Sequence, residues 1–584
     1  MRIAIKSRGT KNKTGFTHIR KTKRKLEFKM ADLPSNEDIL RDYFDSDDND
    51  SDFEGFSEVE SDISIPEESS SEEESEEESE SEPENEDEWT DTLRGVHVER
   101  FHEETGPVFP ANFDVQTATP KDYFDLMFSP NIISDFVQHT NNYARWKMEQ
   151  KGEEDSVWYE ITEPEMKAYL GLNIVMGINQ VPSYKDYWAK DLFLGNEGVK
   201  SVMTVRRYEK ITEYFHVSDR RSEPARGTRN YDKLYKVREV IVMAKNNFKN
   251  NYRPSGNLAI DEAMIKWTGR LSFKQYLPAK PIKRGIKVWM RCDSENAFLT
   301  DFDIYLGKGT ANSEHGLGHD VVTKLTRDLT GKYFRVFFDN YFTSVQLMQD
   351  LLADRIYACG TVRMNRRGFP DDLKVRLRLQ RGQSMTRQKG NLTASVWQDK
   401  KPVAFLSTLS DPRAEVPVTR QHGRQELRMT QPHSANEYNK YMNGVDRHDQ
   451  LRMKYSLGRD SKKAWKYMYF FLVNCAIVNA FILFSASSTR QNSKKRYTHL
   501  DFRMELVHQL IAGFSGRKRK AAENVQGVQD AGNYQGHESV HMGTKRRCRV
   551  HLTKKERKET VFGCKVCNVH LCKDGCHFAY HNGQ

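Results

Sequence analysis

The spacing of apolar residues changes along this chain. From residue 119 to 256 they recur with helical period, predicting helices such as Pro120 to Phe128, Thr162 to Ile174 and Tyr231 to Phe248. Thr162, with Glu165 three residues later, carries a capping-box signature. From 257 to 365 short runs rich in β-branched and aromatic residues predict strands at Leu258–Ile260, Gly285–Cys292, Ala297–Leu306, Phe334–Phe338 and Tyr357–Val362. A helix over Ser344–Ala353 interrupts them, and Ile304 and Leu306 alternate with Asp303 and Tyr305 as in a half-exposed strand. Residues 366–429 hold strand fragments, Ser395–Trp397 and Val403–Ser407, among charged loops. Helical spacing returns over Tyr438–Tyr455 and Ala464–Ser485. Met468 to Phe484 is the one membrane candidate. At 17 residues, interrupted by Asn474 and Asn479, it reads as a buried helix, and no membrane partner is expected.

Three aspartates stand out against this pattern. Asp261 closes Leu258-Ala259-Ile260, Asp339 closes Val336-Phe337-Phe338, and Asp446 lies in Gly444-Val445-Asp446-Arg447-His448-Asp449-Gln450. A carboxylate ending a buried strand is held at the rim of a sheet, which suits Mg²⁺ and its demand for a few fixed oxygens. Carboxylates gathered from distant segments can hold two metals about 3.5–4 Å apart, which clamp the attacking and leaving oxygens of phosphoryl transfer. An aspartate after a strand can equally cap a turn or a helix. Lys280, Lys283, Arg284 and Lys287 form a basic stretch after the first aspartate, placed to hold phosphates or serving as ordinary surface charge. Trp465 and Tyr467, among Lys462, Lys463 and Lys466, suit stacking on unpaired bases, or a buried aromatic at a helix start.

The chain's 584 residues require several domains. Its net charge of +9 hides an asymmetry: residues 37–88 hold 26 Asp or Glu against Arg41 alone, leaving about +34 on the rest. The basic remainder suits a polyanion partner. The Ser/Glu-rich stretch 35–92 cannot build a core and is expected to be disordered, with serines placed for phosphorylation by a kinase. It follows a basic segment, 1–34. Residues 516–545 read as a linker whose Arg517-Lys518-Arg519-Lys520 cluster is a nuclear import signal, a DNA contact or a solvated charge run.

Cys292, Cys359 and Cys475 are dispersed in apolar contexts and read as buried free thiols. The other five cysteines fall between Cys548 and Cys576. Cys548-x₂-His551, the knuckle Cys564-x₂-Cys567, then Cys572, Cys576, His577 and His581 supply eight candidate ligands in 34 residues. That number serves two tetrahedral Zn²⁺ ions, with the pairing open and His570 or His577 as candidate bystanders. So small a domain draws its stability from metal.

In this order, the aspartate contexts and the cysteine-rich tail resemble the piggyBac transposase family over residues 119–582. The motifs are Leu258-Ala259-Ile260-Asp261-Glu262, Gly269-Arg270-Leu271, Tyr276 through Lys287, Phe338 through Ser344, and Gly444-Val445-Asp446 with Asp449-Gln450. The resemblance implies a multidomain α+β chain with an RNase H-like mixed α/β catalytic domain (257–365 and 430–455) carrying a β-rich insertion (366–429). A helical dimerisation and DNA-binding domain would come from 119–256 and 456–515, and a cross-brace zinc domain from 546–584. It further implies a nuclear, dimeric enzyme that cuts and rejoins double-stranded DNA at TTAA sites. Asp261, Asp339 and Asp446 would bind the catalytic Mg²⁺ ions, and Asp449 would assist. Where relatives open the zinc domain with Cys-x₂-Cys, this chain has Cys548-x₂-His551. A domesticated DNA-binding protein without mobility is the alternative, and a RING- or PHD-like interaction role is a third reading of the tail.

Overall fold

The computed structural model describes residues 88–584 except 279, 308–312, 375–376, 423–424, 459–460, 488–496, 517–536, 538, 555, 574 and 582–584. The expectations for segment 1–34, for nearly all of 35–92 and for the Arg517–Lys520 cluster lie outside the described residues. Two compact units divide at Gly516 and Arg517.

The first part of the larger unit is helical, with α1 (Pro120–Met127), α2 (Asn131–Lys151), α3 (Glu163–Ile178), α4 (Val205–Tyr214) and α5 (Arg238–Asn250). Thr162 does precede α3, but its side chain makes no capping hydrogen bond. Glu165 turns inward instead and receives Arg207 Nε at 2.8 Å and Nη2 at 2.7 Å, a buried bidentate pair.

A nine-stranded sheet follows. Its strands are β3 (Asn257–Lys266), β4 (Gln275–Tyr276), β5 (Arg284–Asp293), β6 (Leu299–Ile304), β7 (Arg335–Phe338), β8 (Tyr357–Val362), β9 (Ser384–Lys389), β10 (Leu392–Gln398) and β11 (Pro402–Ser407). A short pair, β1 (Gly106–Pro107) with β2 (Tyr252–Arg253), lies apart from it. The order is β4-β5-β3-β7-β8-β11-β10-β9, with β6 also on β5. The β3–β7 and β7–β8 pairs are parallel and the others antiparallel. Thus β9 to β11 widen the sheet beyond β8, while β12 (Glu415–His422) and β13 (Gln425–Pro432) form a separate hairpin.

Alternate residues of β3 feed two cores, as the two-residue period of a strand requires. Ala259, Ala263 and Ile265 join the helical core, while Leu258 and Ile260 pack with residues of α6 (Leu317–Thr326) and α7 (Val345–Ala353). Past the hairpin come α8 (His433–Tyr441), α9 (Gly444–Lys454), α10 (Ala464–Ala486) and α11 (His499–Ile511). The helical stretch expected over Tyr438–Tyr455 is present as parts of two helices, separated at Met442 and Asn443.

Helix α10 is long and apolar enough to cross a membrane, yet 89% of its most apolar window is buried inside the protein. The asparagines that interrupt its apolar run tie it in place. Asn474 Nδ2 donates to the Arg452 carbonyl at 2.8 Å, and Asn479 exchanges two 2.9 Å hydrogen bonds with the backbone of Leu299. Cys292, Cys359 and Cys475 are buried free thiols, as expected.

Candidate functional site

Parallel pairing between β3 and β7 ends at Ile260 opposite Phe338. Asp261 and Asp339 are the next residues on each strand, so the two carboxylates leave the sheet at the same rim. Strand β3 itself runs on to Lys266, so Asp261 lies within it and opens onto the gap where β7 stops. Asp339 begins a turn, its Oδ1 accepting the Tyr341 N–H at 2.9 Å and its carbonyl the Thr343 hydroxyl at 2.8 Å. It therefore caps that turn as well as lining the rim.

Asp446 arrives on the first turn of α9, and Gly444 makes its approach feasible. A Cβ at Gly444 would lie 3.0 Å from Ala259 Cβ and 3.3 Å from the Asp293 carbonyl. Glycine lets the helix rest directly on β3 and β5. The site thus collects Asp261, Asp339 and the exposed Asp446 around one cation, Lys280, whose charge acts on all three.

Glu262 is a fourth carboxylate at this rim that the sequence reading passed over. Lys280 Nζ lies 3.4 Å from Asp261 Oδ2 and 3.4 Å from Glu262 Oε1, and Lys287 Nζ lies 3.9 Å from Glu262 Oε2. Burial, then the Glu262 charge, push Asp261 up to about 7, against the pull of Lys280. Asp339 is also raised, by burial and then by Glu262, against its turn hydrogen bond and the two lysines. Four carboxylates against two ammonium groups leave an excess of hard oxygen donors whose protonation a divalent cation would relieve. The residues present fit Mg²⁺.

The basic stretch divides between site and surface. Lys287 is buried, its ammonium 3.8 Å over the Trp289 ring and 4.7 Å over Tyr341, so it belongs to the carboxylate cluster. Burial lowers its pKa, with Glu262 opposing. Lys283 and Arg284 are exposed, Arg284 lying 4.5 Å over the Tyr276 ring.

Trp465 corrects an expectation. It is 7% exposed and stacks on Phe215 at 6.0 Å within the helical core, where no base can reach its face. Asp449, one turn past Asp446, is engaged by Arg452, whose Nη2 lies 2.9 Å from its Oδ1. Arg452 in turn packs 4.5 Å over Phe471.

In the C-terminal unit, β14 (Ser539–Arg547) pairs with β15 (Glu559–Cys564), and β15 with β16 (Val569–His570). Short helices α12 (Arg549–Thr553) and α13 (Cys576–His581) complete it. Two ligand quartets interleave along the chain: His537, Cys564, Cys567 and His581, and Cys548, His551, Cys572 and Cys576. Sulfur–nitrogen separations of 3.3–3.8 Å within them match the edge of a tetrahedral Zn²⁺ site, about 3.5 Å for ordinary Zn–S and Zn–N bonds.

Burial opposes ionisation of Cys548, but hydrogen bonds from His551 and Cys572 draw it down to about 6. Burial and the neighbouring thiols push Cys567 and Cys572 up to about 11. Cys548 is thus the readiest thiolate of its quartet, and a bound cation would stabilise the ionised form of Cys567 and Cys572.

The expected set changes in one member. His577 joins neither quartet, and His537 takes its place from within the presumed linker 516–545. β14 likewise belongs to the module, so its folded part starts before residue 546. His570 is a bystander whose Nε2 meets the Thr544 carbonyl at 2.8 Å.

The family model described as Transposase IS4 matches residues 119–481. Human piggyBac transposable element-derived protein 5 is 27% identical over 441 residues, 72% of this chain and 80% of that protein. Human piggyBac transposable element-derived protein 3 is 28% identical over 494 residues, 81% of this chain and 78% of that protein. A solved chain from a piggyBac transposase synaptic complex with hairpin DNA shares the fold, with a TM-score of 0.62 at 24% identity, covering 81% of this chain and 99% of that one.

Proposed function

Because this chain belongs to the transposase IS4 family, in its piggyBac branch, we propose that it is a nuclear DNA transposase that cuts and rejoins double-stranded DNA at TTAA sites. The observation that carries the proposal is the shared rim of Asp261 and Asp339, with Asp446 on the first turn of the helix that Gly444 seats against β3 and β5. The sheet order β6-β5-β3-β7-β8, antiparallel at first and then parallel, supports reading 257–365 with 430–455 as an RNase H-like catalytic domain. On this reading 366–429 is its insertion, and 119–256 with 456–515 is the DNA-binding and dimerisation domain.

Asp261, Asp339 and Asp446 would hold two Mg²⁺ ions, and Asp449 would assist from its pair with Arg452. When bound, the metal pair supplies Lewis-acid stabilisation of the attacking and leaving oxygens. The chain's own residues bind and orient the DNA. Lys283 and Arg284 meet the phosphates, and the stacked Lys287 holds Glu262 beside Asp261. Two Zn²⁺ ions would fold the C-terminal module, whose Lys545, Arg546, Arg547 and Arg549 suit a DNA backbone better than a protein partner.

The test is strand cleavage of a TTAA-flanked substrate in Mg²⁺. Wild type is expected to cut and D339A to leave the substrate intact. A folded wild type that does not cut its own element's ends would overturn the proposal. The second reading, a DNA-binding protein that no longer moves DNA, draws on the relatives named as element-derived proteins. It predicts tight DNA binding without cleavage in the same assay.

A further inference from the structure

Lys280 sits at the crest of the loop joining β4 to β5. The Leu277 N–H donates to the Lys283 carbonyl at 2.8 Å, and the Lys280 N–H donates to the Leu277 carbonyl at 3.2 Å, folding the loop back on itself. The Lys280 ammonium thereby reaches Asp261 Oδ2 and Glu262 Oε1, each at 3.4 Å, and the Glu262 carbonyl at 3.2 Å. These separations exceed the 2.7–2.9 Å of a tight charged hydrogen bond, so the cation is shared between acceptors and held loosely by each. Its side chain remains 27% exposed.

Lys287 behaves differently. It stands on strand β5, is buried, and lies against Trp289. One ammonium of the cluster is therefore fixed in the sheet, and the other rides on an exposed loop.

We propose that Lys280 is a displaceable counter-ion: it neutralises Asp261 and Glu262 until a divalent cation binds, is then expelled, and carries its charge to a phosphate of the DNA. The inference rests on the metal-site reading above and makes Lys280 a positioning residue that couples metal loading to DNA binding. Asp261 Oδ1 already accepts the Glu262 N–H at 2.7 Å, so Lys280 lies against the Oδ2 that a metal would also use, and a divalent cation there repels the ammonium and weakens the hold of the carboxylates on it. The burial of the cluster makes an uncompensated carboxylate there costly, which explains why a lysine stands in. Released, the four-carbon stem on its exposed loop can reach outward from the rim.

Two measurements on the full chain test this, neither of them activity. The first is Mn²⁺ affinity by electron paramagnetic resonance. K280Q is expected to bind Mn²⁺ about five- to tenfold more tightly than wild type, a common size for coupling between two ligands of one site. K280R, which keeps the charge, is expected to stay near wild type. The second is the salt dependence of binding to a TTAA-containing duplex. With Ca²⁺ bound, K280Q is expected to lower the slope of log K against log salt by about 0.9, one phosphate contact. Without divalent cations the slopes of K280Q and wild type are expected to agree.

Unchanged or weaker Mn²⁺ binding in K280Q, with binding still abolished by D261N, overturns the counter-ion alone. Mn²⁺ binding indifferent to D261N overturns the metal-site reading and the counter-ion with it. A K280Q slope change of equal size with and without Ca²⁺ shows a permanent phosphate contact and also overturns the proposal.

Discussion

Asp261 and Asp339 lie next to one another because the parallel register of their strands ends one residue earlier, at Ile260 and Phe338. Neighbouring strands are about 4.8 Å apart, a span over which two carboxylates can share a cation but repel strongly without one. At this rim burial and the Glu262 charge raise Asp261 most, and Asp339 adds to them.

The raised Asp261 carboxyl has a pH signature. The Asp261 carboxyl, pushed from 3.8 up to about 7 by burial and Glu262, keeps its proton in the folded chain after the unfolded chain has lost it. Stability therefore falls as pH rises from near 4 to near 7, and the full cost is present above 7. D261N removes the charge and is expected to be more stable than wild type at pH 8 by about 1–3 kcal/mol, with the difference closing toward pH 4. Calorimetry in magnesium-free buffer at both pH values measures this, and a pH-independent difference would contradict it.

Gly444 is predicted to matter beyond its size. In G444A the new methyl meets Ala259 and the Asp293 carbonyl at 3.0 and 3.3 Å, so α9 must shift outward by a few tenths of an ångström. The overpacking is expected to cost about 1–3 kcal/mol. Because Asp446 moves with the helix, the Mg²⁺ concentration for half-maximal cleavage should also rise. A variant destabilised to this degree with unchanged Mg²⁺ dependence would detach Asp446 from the site.

The zinc quartets separate His537 from His577, although it is His577 that follows a cysteine directly in the chain. H537A is expected to retain one zinc per chain where wild type carries two, whereas H577A keeps both, as counted by mass spectrometry of the metal. Loss of zinc from H577A alone would restore the ligand set read from sequence.

Trp465 is predicted to act through packing. W465A should cost about 3–5 kcal/mol, the range for emptying a buried aromatic site. W465F should melt near wild type and bind DNA with wild-type affinity. A large loss of DNA affinity in a fully folded W465F would return this residue to the interface.

The aspartates were legible in the sequence because each ends or interrupts an apolar context, and Tyr357–Val362 is seen as a strand from its β-branched and aromatic content. Register was not legible. Glu262 joins the site only because β4 and β5 fold Lys280 and Lys287 back over it, a long-range pairing that local pattern does not encode. Helix α6 was missed because it follows the glycine-rich stretch 307–318, where Gly316 and Gly318 mask its apolar period. His537 was missed because it stands 11 residues before Cys548 in a polar stretch, with no cysteine beside it to mark a ligand pair. The Thr162–Glu165 signature misled because a buried Arg207 offers Glu165 a stronger partner than a backbone N–H.

The central claim is that Asp261, Asp339 and Asp446 make one divalent-metal site. Anomalous diffraction from crystals soaked in Mn²⁺ tests it most directly. The account predicts density at the rim of β3 and β7, with oxygens of Asp261 and Asp339 about 2.1 Å from the ion and Asp446 completing the set. Saturating Mn²⁺ that leaves this rim without anomalous density, or that binds carboxylates elsewhere, would contradict it.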